Sequence, residues 1–138
     1  MNSNFITATH IMCCLASAQK EGVLGVSPKI ARALSINVVV VRKLAALLVN
    51  KELVIALSGS GGGYRLAKKA ELITLKDIFE AVEEPDADFW GQKKISLKAK
   101  MANSTIGSLQ STVESKLAKA KEDMLHSLSL VSLSEIAD

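Results

Sequence analysis

From Ser27 to Leu66 the chain reads SPKIARALSINVVVVRKLAALLVNKELVIALSGSGGGYRL, and few folds accommodate that order of signals. Ser27 followed by Pro28 marks a helix start: the hydroxyl is expected to accept from a free backbone N–H, and proline suits the first helical position. Ile30, Ala31 and Leu34 then share one helical face. Ser35-Ile36-Asn37 interrupts that period, and Asn37 is placed to cap a second helix from Val38 to about Asn50. On this helix Val41, Leu44, Ala45 and Leu48 make an apolar stripe, while Val39, Arg42, Lys43 and Ala46 lie on other sides. Two further apolar runs, Leu53 to Leu57 and Tyr64 to Leu66, flank the glycine-rich stretch Ser58 to Gly63 and read as a β-hairpin. Helix, helix, hairpin is a winged helix-turn-helix, and a basic second helix behind a short turn suits the major groove of DNA.

One local signal opposes this. Val38 to Val41 are four β-branched residues in a row, which by propensity alone suggest a strand. The apolar period continues for three turns to Leu48, longer than a typical strand, so the expectation is helix.

The flanks are read in the same way. A first helix, about Phe5 to Glu21 with Ser3 or Asn4 as cap, carries Phe5, Ala8, Met12, Leu15 and Ala16 on its main apolar face. Ile6, Ile11, Cys13 and Cys14 lie elsewhere on it, so burial on several sides is expected, between the DNA-binding unit and the long C-terminal helix. Gly22 ends the helix, and Val23 to Val26 is expected to be a short strand pairing with the wing. After the wing, Thr74 caps a helix with Leu75, Ile78, Phe79 and Val82 as its stripe, ending near Glu84-Pro85. From about Ser104 a long helix places Ile106, Leu109, Val113, Leu117, Ala120, Met124 and Leu128 at spacings of three and four. A small winged helix leaves such a stripe exposed, and a second copy of the chain is the economical cover. The expected fold is thus mainly α with a small β-hairpin wing plus a long C-terminal dimerisation helix. It divides into a DNA-binding domain over 1–84, a linker or sensor segment over 85–103, and the dimerisation helix with the C-terminal end over 104–138.

Charge supports this division. Residues 1–69 hold nine Lys or Arg against two acids, a surplus of seven, whereas residues 70–138 hold eight against twelve. The positive charge travels with the helix-turn-helix, where phosphate contacts need it. The two adjacent cysteines exclude a secreted disulfide framework. No signal peptide is read at the start and no apolar run approaches a membrane span, so a cytoplasmic protein without membrane association is expected.

At INVVVVRKLAALLVNKELV and GSGGGYRLAK the chain resembles the Rrf-two family of bacterial transcription regulators. ITLKDIFEAVE resembles the helix after the wing in that family, and SLVSLSEI its C-terminal end. The resemblance covers most of the chain and is weakest between Pro85 and Ser104. It implies a dimeric winged helix-turn-helix regulator of transcription. It also implies an arginine just before the wing glycines, entering the minor groove, where this chain has Ser58. Members that bind an iron–sulfur cluster carry three cysteines after the fourth helix. Pro85 to Ser104 contains no Cys and no His, so the resemblance is to the cluster-free branch and no iron–sulfur cofactor is expected.

Other chemistries find no support. A phosphate-binding P-loop needs Lys-Ser or Lys-Thr after its glycines, but Tyr64-Arg65 follow here. His10 and His126 are far apart without a companion ligand, and no triad or paired carboxylate is legible. Cys13 and Cys14 have two readings, as small apolar core residues or as an oxidisable thiol where the first helix meets the dimer helix. Phe89 and Trp90, next to Lys93, Lys94, Lys98 and Lys100, either contact a ligand or partner or merely belong to a linker. No small-molecule effector is specified.

The expected function is a homodimeric, sequence-specific repressor of transcription bound to double-stranded DNA. Ser27 and Lys29 at the first helix of the motif are candidate contacts. So are Asn37, Val38, Val39, Arg42 and Lys43 on the recognition helix, and Ser58, Ser60, Gly61, Gly62, Tyr64 and Arg65 on the wing. Val39 suits a thymine methyl, Arg42 a guanine edge or phosphate, and Lys43 a phosphate. The alternative is a dimeric protein-interaction module that kept the fold without specific DNA binding, a reading that Ser58 keeps open.

Overall fold

The computed structural model describes residues 3–83, 89–90 and 105–137. The valine run is helical: α1 spans Asn4–Lys20, α2 Ser27–Leu34 and α3 Val38–Asn50. Each β-branched residue costs a helix roughly 0.5 kcal/mol relative to alanine, so four cost about 2 kcal/mol. Val41, Leu44 and Leu48 are fully buried along the stripe, each contributing roughly 1.5–3 kcal/mol. Burial wins, and the Asn37 side chain fixes the start by accepting from the Val39 N–H at 2.8 Å.

The start of α2 differs from the expected cap. Val26, not Ser27, is the N-cap residue, and Ser27 makes no capping bond. The proline-led turn draws Ser27 into the helix, where it is 8% exposed. At its other end Ser35 takes φ +54°, ending α2 and turning the chain into Asn37. The chain bends by 114° between α2 and α3.

Strands β1 (Val54–Leu57) and β2 (Gly63–Leu66) form the antiparallel wing, with Val54 opposite Leu66 and Leu57 opposite Gly63. The strand expected over Val23 to Val26 is reduced to one bridge. Gly25 donates to the Tyr64 carbonyl at 2.9 Å and accepts from its N–H at 2.8 Å. The α2 turn begins two residues later and takes the chain away before a ladder can extend. Gly22, at φ +71°, ends α1: its N–H donates to Gln19, and that of Val23 donates to Ala18. These bonds satisfy two carbonyls left over at the helix end.

A short 3-10 turn at Ala70–Leu72 leads to α4, Leu75–Val82. Thr74 Oγ1 accepts from the Asp77 N–H, and the Asp77 carboxylate accepts from the Thr74 N–H, a complete capping box. Helix α5 runs Thr105–Ser129, followed by the single turn α6, Leu133–Ile136. The C-terminal end returns to the N-terminal core. The Leu133 N–H donates to Ile73 at 2.7 Å, the Leu75 N–H donates to Val131 at 3.0 Å, and the Leu133 side chain is fully buried.

The core joins Ile11, Met12 and Leu15 of α1 to Leu44 and Leu48 of α3, Ile73, Ile78 of α4 and Leu133. Helix α1 is covered by α2, α3, α4, β2 and α6, whereas α5 packs chiefly on α4. Among the described residues α1 meets chiefly α6 at the C-terminal end, rather than the long helix that was expected, and Lys20 Nζ donates to the Ala137 carbonyl across that contact. From α1 a series of edge-to-face rings runs outward. Phe5 meets Phe79 at 5.4 Å, Phe79 meets Phe89 at 5.9 Å, and Phe89 meets Trp90 at 4.7 Å. Trp90 Nε1 donates to the Leu117 carbonyl of α5 at 3.0 Å, and Lys121 Nζ lies 5.2 Å from the Phe89 ring centre.

Candidate nucleic-acid interface

The buried stripe of α3 decides which residues it presents outward. With Val41, Leu44, Ala45 and Leu48 inside, Val39, Arg42, Lys43 and Ala46 are exposed, spaced by three and four along one face. Val39 is a large apolar residue left 63% exposed. Arg42 lines a groove of about 520 Å³ that runs between α3 and the wing, together with Ser27, Pro28, Leu57, Ser58, Gly62 and Tyr64.

The sequence candidates divide by where they fall. Ser27, Arg42, Ser58, Gly62 and Tyr64 come together in that groove. Ser60 and Gly61 are exposed at the hairpin tip, and Lys43 is exposed on α3. Arg65 is exposed beside Tyr64 on β2, and strand alternation sends it to the opposite face of the hairpin from Tyr64 and Leu66. Val38 packs against the core, and the Asn37 oxygen is occupied by its cap. Lys29 lines a different cavity, on the α1 side of α2. Pro28 and Leu57 also line the groove and were not among the candidates; Leu57 carries the exposed apolar end of β1, which strand periodicity alone does not separate from core.

Gly62 keeps the wing tight: a Cβ there would run into the Leu57 carbonyl oxygen and lie 2.9 Å from that of Gly59. Gly62 N–H donates to Gly59 at 3.0 Å, and Gly59 and Gly61 hold positive φ. The tip is thus backbone with almost no side chain, which lets another backbone approach closely.

The family model described as Rrf2, iron-dependent transcriptional regulator, matches residues 1–138. The chain belongs to the Rrf2 family. Its members are transcription regulators, not enzymes. A similar curated protein, the HTH-type transcriptional regulator IscR of Cereibacter sphaeroides, is 42% identical over 71 residues. That match covers 51% of this chain, and this chain spans just under half (46%) of that relative's length. Two solved structures share the fold. IscR of T. potens has a TM-score of 0.72 at 20% identity, covering 99% of this chain and 84% of that one. CymR (YrzC), the global cysteine regulator of B. subtilis, has a TM-score of 0.67 at 20% identity, covering 99% and 95%.

The Rrf2 description implies iron, and the donors of this chain do not fit an iron–sulfur cluster. Its only cysteines, Cys13 and Cys14, are neighbours on α1, and a cluster needs about four ligands, nearly all thiolate. Among the described residues no group of three or more His, Cys, Asp or Glu is arranged to hold a metal ion. Among them, too, no single helix is long and apolar enough to cross a membrane; α2 and α3 pass only as a pair, and that pair is bent.

On α5 the expected dimerisation stripe divides. Ile106, Leu109, Val113 and Ala120 are exposed, Leu109 by 61% and Val113 by 55%, whereas Leu117, Met124 and Leu128 are half-buried within the chain. Most of the linker, with its four lysines, lies outside the described residues. Trp90 there is 43% exposed, with its indole N–H held by α5.

Proposed function

We propose that this Rrf2 protein is a homodimeric, sequence-specific DNA-binding repressor of transcription, acting in the bacterial cytoplasm. The observation that carries this reading is the outward face of α3. It carries Val39, Arg42 and Lys43, all three exposed, beside a groove walled by a glycine-tipped hairpin. Such a helix suits a major groove, with Val39 toward a thymine methyl and Arg42 toward a guanine edge or a phosphate. The bare tip at Ser60 and Gly61 suits close passage along the sugar–phosphate backbone. Ile106, Leu109 and Val113 support dimerisation, because three large apolar side chains in succession on one helix are costly to leave in water. Two copies related by a twofold axis would set two α3 helices into half-sites a helical turn apart. Repression follows where such a dimer overlaps a promoter.

The test is selection of genomic DNA fragments by the purified protein, followed by transcription of a bound promoter with and without it. Enrichment of one sequence with twofold symmetry, and loss of transcript from it, is expected. A second reading rests on Ser58: the wing residues 58–61 carry no cation, so minor-groove contact is weaker than an arginine would make it. If selection enriches no sequence while the protein remains a dimer, a protein-interaction module is the better account.

A further inference from the structure

Two thiols lie away from the DNA-facing side. Cys13 and Cys14 both line a cavity of about 430 Å³ between α1 and α2. The charged or titratable groups facing it are His10 from α1, Glu21 just past its end and Lys29 from α2; the walls between are largely apolar, with Val23, Leu24 and Ile30 among them. Both cysteines are free and half-buried.

Neither thiol is prepared as a nucleophile. Burial pushes both above the ordinary 9.0, and the neighbouring Cys14 raises Cys13 further. At neutral pH both stay protonated, which disfavours oxidants that attack a thiolate. Successive helical positions diverge by about 100°, the wrong disposition for a mutual disulfide. An ion between the sulfurs is less demanding, because two metal–thiolate bonds of about 2 Å each span a wider gap.

Coordination number narrows the choice of ion. Zinc takes four ligands, and harder divalent ions take more oxygen donors. Among the described residues no third side chain converges with these two to hold a metal. We propose that Cys13 and Cys14 form a two-coordinate thiolate site for a soft monovalent cation, Cu(I), in the groove between α1 and α2. Binding exchanges two S–H bonds for two Cu–S bonds and releases two protons, with no change of oxidation state. The product carries one negative charge, which Lys29 on the opposite wall favours and Glu21 opposes, and the apolar walls keep water from competing. This site stands independently of the DNA-binding reading.

The test is an anaerobic titration of the reduced full-length chain with Cu(I), competing against a coloured Cu(I) chelator. One equivalent per chain should be withdrawn from the chelator, and about tenfold excess Zn(II) should not displace it. Cys13→Ser and Cys14→Ser should each abolish binding, with far-UV circular dichroism checking that they fold. Wild-type protein alkylated at both thiols provides a second loss-of-site sample. Lys29→Ala should weaken binding severalfold and His10→Ala should leave it unchanged. Because two protons compete with one ion, affinity should fall about a hundredfold per pH unit of acidification. Failure to withdraw copper overturns the site. So does undiminished binding by either serine variant, or a slope of about tenfold per unit, which marks a single thiol.

Discussion

Asn37 caps α3 and Arg42, five residues on, lies on its outer face; the two do opposite work. Arg42 is exposed beside the wing and contributes nothing visible to the core, so Arg42→Ala should leave the urea midpoint unchanged. On the proposed function it should weaken operator binding by on the order of 1–3 kcal/mol, read by titration of labelled DNA; unchanged affinity would mean that another face of α3 meets DNA. Asn37→Ala removes the bond to the Val39 N–H and should cost about 1 kcal/mol of stability, read as a lower urea midpoint. The cysteines carry a pH signature. Their folded-state values are raised above 9.0, so the folded chain holds these protons more tightly than the unfolded one. That contribution is whole below about pH 9 and is lost as pH rises through the folded values. The urea midpoint of the wild type should therefore fall more steeply above pH 9 than that of a Cys13→Ser, Cys14→Ser double variant.

At the scale of elements, the wing depends on its glycines. Gly62→Ala places a Cβ against the Leu57 carbonyl, a backbone atom that cannot rotate away. The hairpin should open locally, with faster amide exchange at Gly62 and Tyr64 while α3 stays protected. Equal exchange in both proteins would count against the tight tip. Helices α3 and α4 were legible because their caps, Asn37 and Thr74, stand directly before an apolar period. Two short elements were not. Val23 to Val26 has strand composition but only Gly25 pairs, and Ser27 has cap chemistry but lies one residue inside its helix. Each was decided by where the neighbouring turn sends the chain.

For the whole molecule, the proposed assembly turns on α5. Leu109 and Val113 are exposed within the chain, so charges there should not unfold it. Leu109→Glu with Val113→Glu should therefore yield folded monomers in sedimentation velocity at micromolar concentration, where the wild type sediments as a dimer. A wild-type monomer would sink the proposed assembly. Leu117 is a poorer choice for this test, because it is half-buried and its carbonyl receives the Trp90 indole. Trp90 is the only tryptophan, so its emission reports directly on that contact.

The sequence by itself determined the helix-turn-helix and its wing, because amphipathic period, caps and glycines are local and act within a few residues. It also determined the outward set on α3, since the buried stripe leaves only one face for Val39, Arg42 and Lys43. Only the tertiary structure decided that α6 is the C-terminal element α1 chiefly meets, that Leu133 closes the core, and that Leu117, Met124 and Leu128 of the α5 stripe are already half-buried within the chain. It alone turned Lys29 and the two thiols toward one groove. The physical reason is the same in each case. Periodicity says that a face must be buried but not against what, and contacts between residues far apart in the chain leave no local signal.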